Sequence, residues 1–275
     1  MADDGTFQYQ VISEEGCGFA RLPFKVESQE LLRCFRSIVV TQESNTNHHE
    51  RENEPGIGTR ITSVVYRNIR GRDHYEFDAS SPSLLACAPY QRLLRCVSPY
   101  CEAYFTQTRR KGGESKTSSY KVSTVQLVEA MPGAPPQSWH ADNAAGGLTF
   151  VFALCDQSAE LAGTQFLTHS HLLLRPSSSS SSSPRLLGRV NLSLKSSIAT
   201  PTLLSGEGLV FDANLLHRGL PNNSRQGLSR PILVIRYDDV KNSAPGMTRF
   251  GTMWRNWAGS ASFHLLNAFI RIRSD

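Results

Sequence analysis

Gln137-Ser138-Trp139-His140-Ala141-Asp142-Asn143 is the stretch that decides how this chain folds, because it places an imidazole and a carboxylate two residues apart. On a helix, residues i and i+2 point about 200° apart, whereas on a strand they share one face. His140 and Asp142 can therefore hold one ion only from extended chain. Together they make two of the three ligands of the 2-His-1-carboxylate arrangement, which binds non-heme Fe(II) and leaves coordination positions open for chemistry. A second histidine has to come from elsewhere.

The sequence around this stretch is rich in short extended runs. From Tyr120 onward the β-branched and aromatic residues predict strands at Val122 to Ala130, Leu148 to Cys155, Gly163 to Leu167, Leu186 to Leu194, Gly208 to Phe211 and Pro231 to Tyr237. Many short strands separated by Gly and Pro turns predict a sandwich or jelly roll. Ahead of them, residues 7 to 26 read as short extended pieces. Leu31, Leu32, Phe35, Ile38 and Val39 recur at helical spacing, with Ser28 placed to cap and Glu30 in the first turn. The polar stretch from Thr41 to Gly58, with His48 and His49 adjacent, predicts a loop. Ile61 to Tyr66 predicts a strand, the Arg-rich piece to Arg72 a turn, and Ser83 to Phe105 one or two helices interrupted near Pro89 and Pro99. A Gly-, Lys- and Ser-rich loop is expected at 108 to 119.

The chain is 275 residues long, enough for one good core, and the expectation is one domain over 1–275. Within it a helical and extended front part covers 1–120, the jelly-roll core 121–240, and a helical segment 241–275. The unbroken serine run Ser177 to Ser183, between Pro176 and Pro184, cannot bury apolar surface and predicts a flexible insertion over 176–184. Trp254, Trp257, Phe263, Leu266 and Phe269 fit a C-terminal helix. Hydrophobic residues at 39% and charged residues at 19% are ordinary for a globular chain.

No apolar run approaches bilayer length, so no membrane partner is expected. The acidic start MADDGTFQYQ lacks the basic and apolar regions of a secretory signal, which predicts an intracellular, cytoplasmic protein. Six cysteines without a CxxC pair argue against a zinc ribbon, and read as buried small hydrophobes. The net charge of +5 is a mild bias, and Arg109-Arg110-Lys111 lacks interleaved aromatics, so no nucleic-acid partner is expected.

Three histidines after the first strands can complete the ligand set: His169, His171 and His217. His217 lies beyond the strand Gly208 to Phe211, and Arg230 follows it by 13 residues at the head of PILVIRY. Beside a metal, a buried guanidinium suits a dicarboxylate co-substrate, since its planar fork holds a carboxylate bidentately.

PGAPPQSWHAD, AGTQFLTHSH and HRGLPNNSRQGLSR resemble, in order and spacing, the three signature segments of the phytanoyl-CoA dioxygenase family of Fe(II)/2-oxoglutarate-dependent oxygenases. The resemblance covers about residues 122 to 238. It implies a double-stranded β-helix, the cupin-like jelly roll, with His140, Asp142 and His217 as iron ligands and Arg230 as anchor for the C5 carboxylate of 2-oxoglutarate. It further implies that Leu127 and Phe152 line the co-substrate pocket. Where many relatives carry Ser two residues after the distal histidine, this chain has Gly219, and Thr168-His169 replace the usual Pro-Gly. Arg236, of the same strand parity as Arg230, is the alternative anchor. His171 is assigned to structure, and Trp139 to packing beneath the site.

The activity so implied is hydroxylation of a small-molecule substrate, consuming O2 and releasing succinate and CO2, with ascorbate as an aid in vitro. Asp142 favours oxygenation over halogenation, because related halogenases carry a small residue in its place. The rival expectations are a non-catalytic jelly-roll binding protein and a hydroxylase acting on protein residues.

Overall fold

The structure is a computed structural model that describes residues 12, 16–49, 64–112, 120–143, 146–174 and 197–240. All lie in the first of two compact units, 1–242 and 243–275. In chain order they form strand β1 (Phe19–Lys25), helix α1 (Ser28–His49), β2 (Val64–Asn68), β3 (Arg72–Phe77), α2 (Pro82–Leu85), α3 (Ala88–Gly112), β4 (Tyr120–Ala130), β5 (Leu148–Ala153) and β6 (Thr164–Leu167). Then come α4 (Ser170–Leu174), β7 (Ile198–Ala199), β8 (Glu207–Asp212), β9 (His217–Gly219) and β10 (Arg230–Asp239). The strand expected at 186–194, the serine run and the C-terminal helix fall outside the described residues.

Two sheets carry the fold. The larger has seven strands in the order β1-β8-β5-β10-β4-β3-β2, and the smaller three in the order β7-β6-β9. Every pairing is antiparallel. Because strand side chains alternate between faces, the large sheet has two chemically different sides. On one, Val125, Leu127, Phe150, Phe152, Leu233 and Ile235 pack with Leu31 and Phe35 of α1 and with Leu93 and Val97 of α3. On the other, Val151, Leu209 and Phe211 meet Phe166 of β6 together with Leu203 and Leu215. β5, apolar but for Thr149, is buried at every position. Two antiparallel sheets closed face to face in this way, with helices on the outer side, are the expected jelly roll.

Several local expectations give way to tertiary structure. Ser28 does not cap α1: it is the helix's first residue, and its Oγ lies 2.6 Å from Ser205 Oγ. The helix continues past Thr41 to His49, where a loop was expected. Polar residues there lower helix propensity by no more than about 0.7 kcal/mol each, too little to stop a helix already nucleated and packed. The interruption expected near Pro89 is present, at residues 86 and 87 between α2 and α3, but the one expected near Pro99 is not. Pro89 falls in the first turn, where no amide bond is lost, while Pro99 sits inside the helix. Buried Tyr100, Cys101, Tyr104 and Phe105, just beyond it, supply the packing that offsets the missing bond.

β3 begins at Arg72, the last residue of the expected turn, and runs through chain for which the sequence predicts no element. The turn itself is tighter, Ile69 and Arg72 exchanging backbone bonds of 2.8 and 3.1 Å. The reading of all cysteines as unpaired small hydrophobes also fails. Cys34 and Cys87 are joined as a disulfide with Cα atoms 6.4 Å apart, a pairing across 53 residues that local spacing cannot reveal, and Cys96 is exposed. Among the described residues no helix is long and apolar enough to cross a membrane.

Candidate active site

At the end of β4 the chain turns sharply through Met131-Pro132-Gly133. Proline at the second position and Gly133 at φ 80° fit the turn type that needs a left-handed third residue, and Ala134 N closes it on Met131 O at 3.0 Å. The chain then runs back beside β9 as an irregular extra strand. Asn222 N bonds Ala134 O at 3.0 Å and Gln137 N bonds Gly219 O at 2.9 Å. Pro135 and Pro136 have no amide hydrogen to offer, so regular pairing resumes only where His140 and His217 exchange bonds of 3.0 and 2.9 Å. That exchange is what brings the two distant histidines side by side.

Extended backbone then places His140 and Asp142 on one side, while Trp139 points to the other, where the Arg218 guanidinium lies 4.7 Å above its ring. Asp142 is fixed by its own amide, which donates to Ala213 O at 2.8 Å. One potential ligand atom from each of His140, Asp142 and His217 lies within 4.8 Å of the others. Among the described residues this is the group of metal-binding type that forms, and neither His169 nor His171 belongs to it.

The protonation pattern suits a metal. His140 Nδ1 lies 2.9 Å from Ser138 O and His217 Nδ1 3.0 Å from Leu215 O. A carbonyl can only accept, so each Nδ1 carries the hydrogen and each Nε2 keeps its lone pair. Thr149 Oγ1 donates to Asp142 Oδ2 at 2.7 Å, leaving Oδ1 toward His217 Nε2 at 3.6 Å. Burial raises the Asp142 carboxyl, but His217, His140, Arg236 and the Thr149 bond outweigh it and hold the group below its ordinary range. Burial pushes His217 down to about 4, against the opposing pull of the Asp142 carboxylate. A carboxylate beside two imidazoles is the donor set of a 2-His-1-carboxylate site.

Arg230, at the head of β10, is 3% exposed, and its Nη2 donates to Leu220 O at 3.0 Å. Its Nε and Nη1 are buried without a hydrogen-bond partner among the described residues. Burial, and secondarily the Arg72 charge, push its pKa down to about 10. Arg236 is otherwise engaged, with Ser123 Oγ at 3.1 Å, Asp238 Oδ2 at 3.4 Å and Asp142 O at 3.4 Å. Of the two candidate anchors, Arg230 is the one with donors to spare.

Leu127 and Phe152 do not line this site. They stand in one cross-strand row with Leu233 on the helix-facing side of the large sheet, where both are fully buried. The side chains one position away, Gln126, Val128 and Val151, face the cavity instead. A one-residue offset in alignment inverts the face, and that offset is the physical source of the error.

The cavity between the sheets measures about 100 Å³ and contains the three candidate ligands, Arg230, and residues not anticipated: Arg72, His74, Gln137 and Thr149. Gln137 explains the missing serine. Its Oε1 accepts from Gly219 N at 2.8 Å, and a Cβ built on Gly219 would come within 2.7 Å of that oxygen. The Gln137 amide therefore occupies the space a side chain at 219 would need. It was visible in the sequence as the first residue of the metal stretch; β3, expected as a turn and unassigned chain, hid Arg72 and His74.

No family model matches this chain. The Dioxygenase hkm4 of Aspergillus hancockii is 27% identical over 128 residues, covering 42% of this chain and 38% of that protein. The match thus spans well under half the length of that curated relative. Among solved structures, the epimerase SnoN in complex with Fe3+, alpha ketoglutarate and nogalamycin RO superposes with a TM-score of 0.52 at 14% identity, covering 88% of this chain and 90% of that one. The non-heme alpha ketoglutarate dependent epimerase SnoN from nogalamycin biosynthesis gives 0.50 at 16% identity, over 85% and 81%. The fold is therefore one shared with non-heme, alpha-ketoglutarate-dependent enzymes.

Proposed function

We propose that this protein is an Fe(II)- and 2-oxoglutarate-dependent dioxygenase acting on a small-molecule substrate. The observation that carries the reading is the convergence of His140, Asp142 and His217, each offering one ligand atom within 4.8 Å of the others, with the Nδ1 of each imidazole turned to a backbone carbonyl. A structural zinc site is closed by four ligands, whereas three on one side leave positions free for co-substrate and oxygen. The buried and partly unsatisfied Arg230 fits the far carboxylate of 2-oxoglutarate. The partial likeness to a protein named as a dioxygenase, and the fold shared with alpha-ketoglutarate-dependent SnoN, point the same way. A small-molecule substrate accords with the nogalamycin compound in the SnoN complex.

In this reading His140, Asp142 and His217 hold the iron, and Arg230 orients the co-substrate by its distal carboxylate. Bound iron, with 2-oxoglutarate and O2, would supply the oxidising power. The chain's own contribution is to fix the ligands, keep Asp142 ionised beside His217, His140 and Arg236 with the Thr149 hydroxyl on its Oδ2, and seat the reacting centre between the two sheets. The test is succinate release by the purified full chain with Fe(II), ascorbate and 2-oxoglutarate. Wild-type protein is expected to release succinate, and Asp142→Ala to lose at least about a hundredfold, since a ligand is removed outright. Equal release by the two proteins would refute the assignment.

A further inference from the structure

We propose that Arg72 is a second arm of the co-substrate anchor, so that one distal carboxylate is gripped between two guanidiniums from different strands, Arg72 of β3 and Arg230 of β10. The inference rests on the reading above and concerns a residue to which neither the motifs nor the likenesses point.

Sheet register sets the pair up. Arg72 and Arg230 both stand opposite Ala130 of β4, one on each side of it. Residues directly across an antiparallel ladder project from the same face, and Ala130 between them has only a methyl group to put in the way. Both arginines line the same cavity. Their Nη2 atoms each donate to one oxygen, Leu220 O, at 3.0 Å, so the two cationic heads are held close together.

Such a pair is costly to build without a purpose. Arg72 is 2% exposed and Arg230 3%, and among the described residues neither makes an ion pair with a carboxylate. A neutral carbonyl oxygen is the shared acceptor, while Arg230 Nε and Nη1 have none. Two like charges buried side by side repel, and each lacks the counter-ion that normally accompanies burial. One bound carboxylate relieves both problems, since its two oxygens offer about four acceptor sites to the two forks. Gly219 and Gln137 complete the argument. A Cβ at 219 would stand 3.7 Å from Arg230 Nη2 and clash with Gln137, so no hydroxyl reaches the anchor from that strand, and the second donor comes from the opposite side of β4.

The experiment is calorimetric titration, without oxygen, of the full chain loaded with Mn(II) in place of Fe(II). The titrants are 2-oxoglutarate and 2-oxobutanoate, which keeps the chelating end but lacks the distal carboxylate. Arg72→Gln should weaken 2-oxoglutarate about tenfold to a hundredfold, the size of a lost charge-assisted bond, while 2-oxobutanoate changes by less than about twofold. Unchanged 2-oxoglutarate binding would overturn the proposal, as it would if Arg72 served a separate anion or only braced the Leu220 segment. Equal weakening of both titrants would overturn it too, by marking a general disruption. Should Arg72→Gln fail to fold, Arg72→Lys keeps the charge without the fork. It is expected to weaken 2-oxoglutarate alone, by a smaller factor, and wild-type affinity in that variant would count against the clamp. Arg230→Met separates the two levels of the argument. If it abolishes selectivity for 2-oxoglutarate while Arg72→Gln does not, the anchor stands and the second arm falls. If the wild-type chain shows no selectivity, the underlying reading falls with it.

Discussion

The two faces of the large sheet obey different rules although they share the same strands. On the helix-facing side Leu127, Phe152 and Leu233 form one apolar row, and the two buried acids of that face are matched from the helices, Glu129 by Arg36 at 2.9 Å and Asp212 by the Tyr104 hydroxyl at 2.9 Å. On the cavity side, one residue over, the same strands present Arg72, Gln126, Thr149 and Arg230 among their valines. The first face gains free energy from burial and ring packing, as where Phe24 meets Phe152 at 6.3 Å. The second gives stability up, burying guanidiniums without carboxylate partners. The difference teaches that alternation along a strand can separate what holds the protein up from what it does.

That separation can be broken by substitutions at adjacent positions. The largest effect is expected from Phe152→Ala, which should cost about 3–5 kcal/mol of unfolding free energy in urea while leaving 2-oxoglutarate affinity within about twofold. Val151→Ala, on the cavity side, should cost only about 2 kcal/mol yet alter co-substrate affinity more. Reversed ranks would mean that the faces are not divided as described.

A smaller effect sharpens the cavity side. Gly219→Ser supplies the side chain that the resemblance leads one to expect, but its Cβ meets Gln137 Oε1 at 2.7 Å. It should destabilise by about 1 kcal/mol, the lower end of overpacking, and Gln137→Ala in the same chain should remove most of that penalty. Independent, additive effects in thermal unfolding would show that Gln137 does not occupy the serine's place.

How much was legible follows from the range over which each signal acts. His140 and Asp142 could be read because their relation is local: spacing of two has one structural meaning. His217 needed the other signature segments, since His169 and His171 were equally available by composition. Arg230 was legible as the head of an apolar strand, and its advantage over Arg236 emerged only when Asp238 and Ser123 were seen to engage the latter. Leu127 and Phe152 failed because register is a property of pairing between strands, and one residue of slip reverses the face. Arg72 was hidden for a related reason. Its strand β3 gains stability from pairing with β2 and β4, not from its own polar sequence RDHYEF.

The central claim is that His140, Asp142 and His217 bind a single ferrous ion. Its most direct measurement is an oxygen-free Fe(II) titration of the full chain, with bound metal counted after buffer exchange. The account predicts one ion per wild-type chain and none retained by Asp142→Ala or His217→Ala, both proteins remaining folded by circular dichroism. Iron retained at full stoichiometry by folded His217→Ala would contradict it.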